Sequence, residues 1–468
     1  MSPTLKFSLR DYQIDIIRKI YAAWGKHRRI LAQLPTGGGK TVVFGAITQE
    51  FIQRKQRVLI LAHREELILQ AANKVGAIAE AEVGIIKAGY KPKPEALIQV
   101  ASVQSLVNRI DQVKDLALII IDESHHATAS TYKKILSAFP KAYHLGVTAT
   151  PVRLDGGGFD SIFELMVSGI TVNKLIKQGY LSKFKLFADP QPMNTKGAKN
   201  FNGDYNINDL ARANNIVELA GNLISSYKHY AMGKSCVVFA INVIHSKEIA
   251  HRYNKAGIKA CHLDGTTSAE ERRESLKKFE AGEIKVISNC ALFDEGLDIP
   301  ALEIVQIARP TQSLSKWLQM VGRGLRTSPS KKFAVILDHT NNWAIHGLPT
   351  RPRKWSLSGV ESKKMSLEMS EDGLVVDKEY EFEAAEIHEN EMELSEIDVS
   401  IEAEWDRILE DLILELEVHK HKKGWLFSQL QDFQPPLKVW QKCGKYLGYT
   451  ESWAAECFNS QQMDMEFS

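Results

Sequence analysis

The stretch Leu34-Pro-Thr-Gly-Gly-Gly-Lys-Thr41 constrains this chain more than any other. It follows a short apolar run, Arg29–Gln33, and leads into Val42-Val-Phe-Gly-Ala-Ile47, so the local order reads strand, glycine loop, helix. Three glycines in succession let backbone N–H groups converge on an anion with no Cβ in the way. The helix that follows aims its N-terminal amides and its dipole at the same point. Lys40 is placed to reach the β- and γ-phosphates of a nucleotide, and the Thr41 hydroxyl to ligate Mg²⁺. Pro35, Thr36, Gly37, Gly38 and Gly39 complete the candidate cradle. Leu34 stands where the pattern G-x-x-x-x-G-K-[ST] has its first glycine, so only the second half of that pattern is met. Taken alone, the loop leaves open a flexible glycine turn before a helix.

Around this loop, apolar runs alternate with helical segments. The runs are Arg29–Gln33, Val58–Ala62, Leu97–Ala101, Leu116–Ile121 and His144–Thr148. Continuous apolar strands alternating with helices predict a parallel sheet covered on both faces. Ligands of such sheets bind beyond the carboxyl ends of the strands. The polar clusters fall there: Gly37–Thr41, His63-Arg-Glu65, Ser102-Val-Gln-Ser105, Asp122-Glu-Ser-His125 and Thr148-Ala-Thr150. Two acids after six apolar residues are costly unless a cation meets them. Asp122 is therefore a candidate Mg²⁺ ligand and Glu123 a candidate for orienting the attacking water. An acidic N-cap for the next helix is the alternative and can hold as well, but two acids, a Ser and a His after six apolar residues favour the catalytic reading once Lys40 is present. Upstream, Phe7–Trp24 has helical periodicity and opens on Leu9-Arg-Asp-Tyr-Gln13, where the Gln13 amide is suited to both donate to and accept from a purine edge.

A second series of runs follows: Ser235–Ala240, Lys259–Leu263, Lys285–Ser288, Glu303–Ala308 and Phe333–Leu337. This predicts a second parallel α/β unit, without a glycine loop of its own. It carries Gln319-Met-Val-Gly-Arg-Gly-Leu-Arg326, in which Arg323 and Arg326 at i, i+3 would project from one side of a helix. A paired arginine of that kind suits phosphate. Gly322 and Gly324 are odd choices for a surface helix.

The 468 residues suffice for two such units and an extension, and the net charge of +2 hides a strong asymmetry. Residues 361–417 hold 21 Asp and Glu against 4 Lys and Arg, a net of −17, which leaves +19 on the remainder. A basic body suits a polyanion. The acidic stretch is either a solvated spacer or a segment that competes with that polyanion. No apolar run is long enough to cross a bilayer and no signal-peptide core follows Met1, so a cytoplasmic protein is expected, with no membrane partner. The five cysteines, Cys236, Cys261, Cys290, Cys443 and Cys457, are scattered, so neither a disulfide framework nor zinc is expected. Near the C-terminus, Ile401 to Leu416 recur at helical spacing, and Trp425, Phe427, Phe433, Trp440, Tyr446, Tyr449 and Trp453 make an aromatic-rich end. A small helical core explains these aromatics better than base stacking.

In their order and spacing these motifs resemble those of the superfamily 2 helicases, over roughly residues 8–340. The resemblance rests on Arg10-Asp-Tyr-Gln13, Pro35–Thr41, Ala62–Leu67, Ala101–Leu106, Asp122–His125, Thr148–Pro151, Leu263-Asp-Gly-Thr266, Phe293–Asp298 and Gln319–Arg326. The leucine in the first loop position is usual in that superfamily. Thr148–Gly156 and Leu337–Gly347 are similar to the RadD-like branch, whose relatives are XPB-type and restriction-enzyme motors. The resemblance implies two tandem RecA-like parallel-sheet lobes with an acidic and helical C-terminal extension. It implies an ATP-binding lobe over 1–180, a linker or insertion over 181–213, a second helicase lobe over 214–346, an acidic linker over 347–400 and a helical module over 401–468. Gly296 and Asp298 join the ATP site by the same resemblance. Lys40, Glu123, Arg323 and Arg326 become catalytic. His63, Arg64, Ser102, Gln104, Gly265 and Thr266 become contacts to a nucleic-acid backbone, and Thr148 and Thr150 couple the two sites. The implied activity is ATP-driven movement on nucleic acid, DNA favoured, with ATP and Mg²⁺ as cofactors and protein partners reached through 361–468. An RNA helicase and a nucleotide-gated binding platform remain the alternatives.

Overall fold

The computed structural model describes residues 8–124, 130–152, 158–189, 193–201, 203–214, 216–292, 302–329, 331–360 and 394–466. Two compact units divide the chain: Met1–Pro349 with Trp355–Ser395, and Thr350–Lys354 with Glu396–Ser468.

The first unit is built on two sheets. Seven parallel strands make the first: β1 (Arg29–Gln33), β2 (Arg57–Ala62), β3 (Val83–Ile86), β4 (Ile98–Ser102), β5 (Leu116–Asp122), β6 (Tyr143–Thr148) and β7 (Leu165–Ser168), in the order β3-β4-β2-β5-β6-β1-β7. Helix α1 (Asp11–Trp24) buries Ile16, Ile17 and Ile20 at the i, i+1, i+4 spacing of one apolar stripe. Helix α2 (Lys40–Gln53) starts at the glycine loop and α3 (Glu65–Ala79) follows β2. The five central strands coincide with the apolar runs of the sequence. The edge strands β3 and β7 do not, because four half-buried residues give no continuous apolar signal.

The second sheet contains β8 (Phe184–Ala188), β11 (Cys236–Ala240), β12 (Ala260–Leu263), β13 (Val286–Asn289), β14 (Ile304–Ala308) and β15 (Ala334–Asp338), parallel in the order β12-β13-β11-β14-β15-β8. A short antiparallel hairpin, β9 (Asn200–Phe201) and β10 (Asp204–Tyr205), lies between β8 and β11 in the chain. Here the expected boundary is corrected. Residues 181–213 are not a plain linker, since Phe184–Ala188 pairs in register with Ala334–Asp338. Lys183 and Lys185 interrupt the apolar run and hid the strand in the sequence. The 347–400 region is likewise more than a linker: Trp355–Ser356 pairs with Gly359–Val360, and the Leu357 carbonyl accepts from Phe159 N.

In the second unit, helices over Ile401–Val418, Lys423–Phe433, Leu437–Leu447 and Glu451–Glu466 close on Trp405, Leu426, Leu430, Trp440 and Ala454. Trp440 is fully buried and its Nε1 donates to Gln461 Oε1 at 3.0 Å, so the aromatic tail is chiefly a core. Part of the acidic stretch is neutralised inside this unit. Lys438 meets Glu402 at 3.1 Å, Lys442 meets Asp406 at 2.5 Å and Arg407 meets Glu404 at 2.8 Å. Among the described residues no helix is long and apolar enough to cross a membrane.

Candidate functional site

The glycine loop folds as its composition dictates. Gly37 and Gly39 have φ of +81° and +80°, a backbone region that an L side chain enters at a cost. Gly39 caps α2 in that left-handed conformation, so the helix N-terminus opens directly onto the loop. A Cβ on Gly39 would stand 2.4 Å from Gln13 Nε2, which shows how closely the Gln13 amide lies against the loop. Gln13 Oε1 accepts from Arg10 N at 3.0 Å, and the Tyr12 hydroxyl donates to the Gly38 carbonyl at 3.1 Å. The start of α1 therefore braces the loop, while Arg10 stacks over the Tyr180 ring at 4.2 Å.

At the end of β5 stands the acidic pair. Lys40 Nζ is 3.0 Å from Glu123 Oε1, with both side chains largely buried. Glu123 has φ +48°, a strained conformation for a residue with a Cβ, and its N–H bonds back to Asp122 Oδ1 at 3.0 Å. Burial, and after it the neighbouring Glu123 carboxylate, pushes the Asp122 carboxyl up to about 6, against the pull of Lys40 and His63. A second cation at this pair would relieve the repulsion, so the residues fit a divalent ion held by Asp122 and Thr41. Ser124 is structural: its hydroxyl donates to the Ile121 and Val147 carbonyls. His125 lies outside the described residues, as do Gly296 and Asp298.

The second lobe closes over this site through a helix, α4 (Leu314–Gly324). A Cβ on Gly322 would sit 2.7 Å from the Thr36 Cβ, so only glycine allows α4 to rest on the phosphate loop. A Cβ on Gly324 would sit 2.7 Å from Val305 Cγ2, so the same helix is pressed onto β14. Both glycines are thus packing requirements. Arg323 is buried, 5 % exposed, on this helix. Arg326 differs from expectation. The helix ends at Gly324, and Arg326 lies in an extended bridge with Leu181, so the two arginines do not share a helix face. A glycine two residues before Arg326 and a Ser182 N–H bond to the Leu325 carbonyl at 2.7 Å account for the break. Leu181 lies against Gly37, and Arg326 Cγ is 4.0 Å from where a Gly37 Cβ would be. Arg326 therefore lies beside the loop, and Arg323 follows Gly322 on the helix that rests on it. Gln319, one turn before Arg323 on the same helix face, has its Nε2 buried without a hydrogen-bond partner.

Three further contacts join the lobes. Thr150 Oγ1 and Ser315 Oγ are 2.6 Å apart, Arg64 Nη1 donates to the Ala291 carbonyl at 3.1 Å, and Arg272 pairs with Glu66. Thr148 Oγ1 holds the Thr150 backbone from both sides, donating to its carbonyl and accepting from its N–H. Thr148 and Thr150 are fully buried. Ser315, Glu66 and Arg272 carry no sequence signal as interlobe contacts, because each is an ordinary polar helix residue until the second lobe is in place.

The candidate strand contacts sit apart from the loop. Ser102 ends β4 and donates to Gln104 Oε1 at 2.9 Å. Gly265 and Thr266 are exposed beyond β12. Asp264 shapes that turn, accepting from the Thr266 N–H and hydroxyl at 2.8 and 2.7 Å and from the Thr267 N–H at 3.1 Å. The Thr266 hydroxyl bond and the other donors hold the Asp264 carboxyl far below the usual carboxylate range. His262 bridges Ser246 Oγ, at 2.7 Å, to Asp264 Oδ2, at 3.1 Å. This has the outline of a Ser–His–Asp relay, but Ser246 is fully buried, so the network braces the turn. His63 acts electrostatically on Asp122 and Arg64 reaches across to the second lobe, so both belong as much to the cleft as to a strand path.

Residues 6–153 match the family model of the type III restriction enzyme res subunit, and 216–328 match the helicase conserved C-terminal domain. The chain belongs to the superfamily 2 helicases, of the restriction-motor and XPB type. It is 31 % identical over 70 % of its length to the Saccharomyces cerevisiae protein named ATP-dependent helicase IRC3, spanning 51 % of that relative, about half its length. It is 27 % identical to the DNA 3'-5' translocase XPB2 of Sulfurisphaera tokodaii, over 75 % of this helicase and 85 % of the relative. In fold it is similar to a fragment of a type I restriction enzyme HsdR subunit from Vibrio vulnificus, with a TM-score of 0.57 at 22 % identity over 74 % of this chain and 68 % of that one. The two sheets are therefore tandem RecA-like lobes.

Proposed function

We propose that this helicase is an ATP-driven DNA translocase whose nucleotide site is completed only when its lobes meet. The observation that carries the proposal is the seat of α4 on the phosphate loop, where Gly322 meets Thr36 and Arg323 and Arg326 follow. In this reading Lys40 neutralises phosphate charge, Gln13 reads the adenine edge, and Glu123 orients the attacking water. Thr41 and Asp122 hold Mg²⁺, which screens the phosphates. Arg323 and Arg326 stabilise the charge that develops in transfer, a contribution worth roughly 10³–10⁵ in rate for an arginine finger. Because they come from the other lobe, turnover is tied to closure. Thr150, bonded to Ser315 and braced by Thr148, links closure to the strand face. There Arg64, Ser102, Gln104, Gly265 and Thr266 are proposed to meet backbone phosphates, with His63 beside them. Gly296 and Asp298 keep their place in the ATP site from the motif resemblance.

The net +19 outside residues 361–417 supports a polyanionic track, and the archaeal relative named a DNA translocase favours DNA. The test is ATP hydrolysis with no polymer, single-stranded DNA, duplex DNA and RNA. Stimulation by DNA above RNA supports the proposal. Stimulation by RNA alone favours the RNA reading, and equal rates in all four contradict a motor. Residues 361–468 are the proposed route to protein partners.

A further inference from the structure

The β9–β10 hairpin is anchored far more firmly than four residues of strand require. Asp204, 6 % exposed, accepts from Thr311 Oγ1 at 3.0 Å and from Gln312 N at 2.9 Å, and meets Lys316 Nζ at 2.7 Å and Arg309 Nη2 at 3.8 Å. These charges and hydrogen bonds hold its carboxyl below the usual range in spite of burial. The Asn206 N–H bonds to the Lys199 carbonyl at 2.7 Å and closes the base of the hairpin. Asp204 pairs directly with Phe201 across the two strands. The anchored strand thus fixes its neighbour, and that neighbour is an aromatic ring left 63 % exposed. Lys196, Lys199 and Asn200, just before it, are exposed as well.

The anchor has a definite place. Thr311 and Gln312 lie beyond the carboxyl end of β14, the end of the sheet at which ligands of this architecture bind. Lys316 is the next residue along α4 from Ser315, whose hydroxyl bonds Thr150 of the first lobe. The hairpin is therefore tied to the junction through which lobe closure and the strand face communicate. A solvent-facing phenyl ring on an anchored hairpin, with two exposed lysines in the five residues before it, matches what an unpaired nucleotide requires: a flat apolar surface for the base and cations for the phosphates.

We propose that Phe201 is a stacking pin for a base of single-stranded DNA at the lobe junction, with Lys196 and Lys199 contacting the adjoining phosphates. This deepens the translocase reading and rests on it. The ring would give the second lobe a grip on the strand that moves with α4.

The experiment uses the full chain, as wild type, Phe201→Ala and Phe201→Trp, with labelled single-stranded DNA oligonucleotides, one normal and one with abasic sites throughout. Anisotropy gives affinity. Stacking of one base is worth about 1–3 kcal/mol, so Phe201→Ala should bind the normal strand about 5- to 150-fold more weakly, with Phe201→Trp near wild type. On the abasic strand all three should bind alike. ATP hydrolysis without DNA should be unchanged, because the ring touches no part of the nucleotide site, and unchanged melting would show that the fold is intact. Equal affinity of Phe201→Ala and wild type for the normal strand overturns the pin, as does the same loss on the abasic strand. If wild type is stimulated by DNA in either case, the translocase reading stands without the pin. A wild type that neither binds the strand nor responds to it removes both.

Discussion

The two lobes share a plan and differ in chemistry. Each is a parallel sheet whose functional residues stand beyond the carboxyl ends of strands, but the first has the glycine loop, Lys40 and the acidic pair, while the second has none of these. The second has Gly322, Arg323 and Arg326 instead. Neither set surrounds a phosphate alone. The first lobe can bind a nucleotide through loop amides and Lys40; the second can only meet one already bound. The difference teaches that the sheet is a mount, and in the proposed function the division of charge between the lobes ties hydrolysis to their relative position.

The comparison is broken most severely in the first lobe. Lys40→Ala or Glu123→Gln should reduce ATP turnover by roughly 10³-fold or more, since each removes a group the second lobe cannot replace. Circular dichroism and melting should remain close to wild type. Turnover at the wild-type rate in either variant would dissociate the site from the chemistry.

In the second lobe, Arg323→Ala should also lower turnover by 10³ to 10⁵ if it acts as an arginine finger, yet leave nucleotide affinity nearly intact. Parallel binding and turnover measurements separate the lobes: Lys40→Ala should weaken both, Arg323→Ala chiefly the second. Loss of nucleotide binding in Arg323→Ala would mean that the second lobe also forms the ground-state site.

A gentler probe touches neither charge set. Gly322→Ala places a Cβ against Thr36 and should oppose closure by about 1–3 kcal/mol of overpacking, a drop of about 5- to 150-fold in stimulated turnover. Nucleotide binding to the open first lobe should be spared. Wild-type stimulation in this variant would show that the lobes need not approach as closely as they do here.

The second lobe should also lose stability in acid. His245, buried in the second lobe, is held down to about 4 by desolvation. Its folded pKa lies below the unfolded value, so the unfolded chain takes up the proton first. Stability is whole above about 6.5 and is lost as pH falls through 6.5 towards 4, by up to about 3 kcal/mol. His245→Gln should flatten that acid limb in a melting series, and an unchanged limb would contradict the assignment.

Much of this was legible in the sequence. Central strands declare themselves because burial on both faces leaves an unbroken apolar run, and the loop declares itself because only glycine fits its backbone. Strand β8 was hidden by Lys183 and Lys185, and the short edges β3 and β7 by their half-exposure. Arg326 was misplaced onto the helix because i, i+3 spacing holds only while the helix lasts, and the helix stops at Gly324. Gly322 looked anomalous until Thr36 stood beside it, since a contact between lobes has no local signature. The acidic stretch was read by its charge alone, and the lysines that neutralise its helical part come from a helix some 36 residues further on.

The central claim is that one nucleotide site is shared by two lobes that the nucleic acid brings together. The most direct measurement is steady-state ATP hydrolysis by the full chain, with and without single-stranded DNA, over a series of salt concentrations. The account predicts a low basal rate, strong stimulation by DNA, and a DNA concentration for half-stimulation that rises steeply with salt as phosphate contacts are screened. A rate that DNA leaves unchanged even at low salt would contradict it.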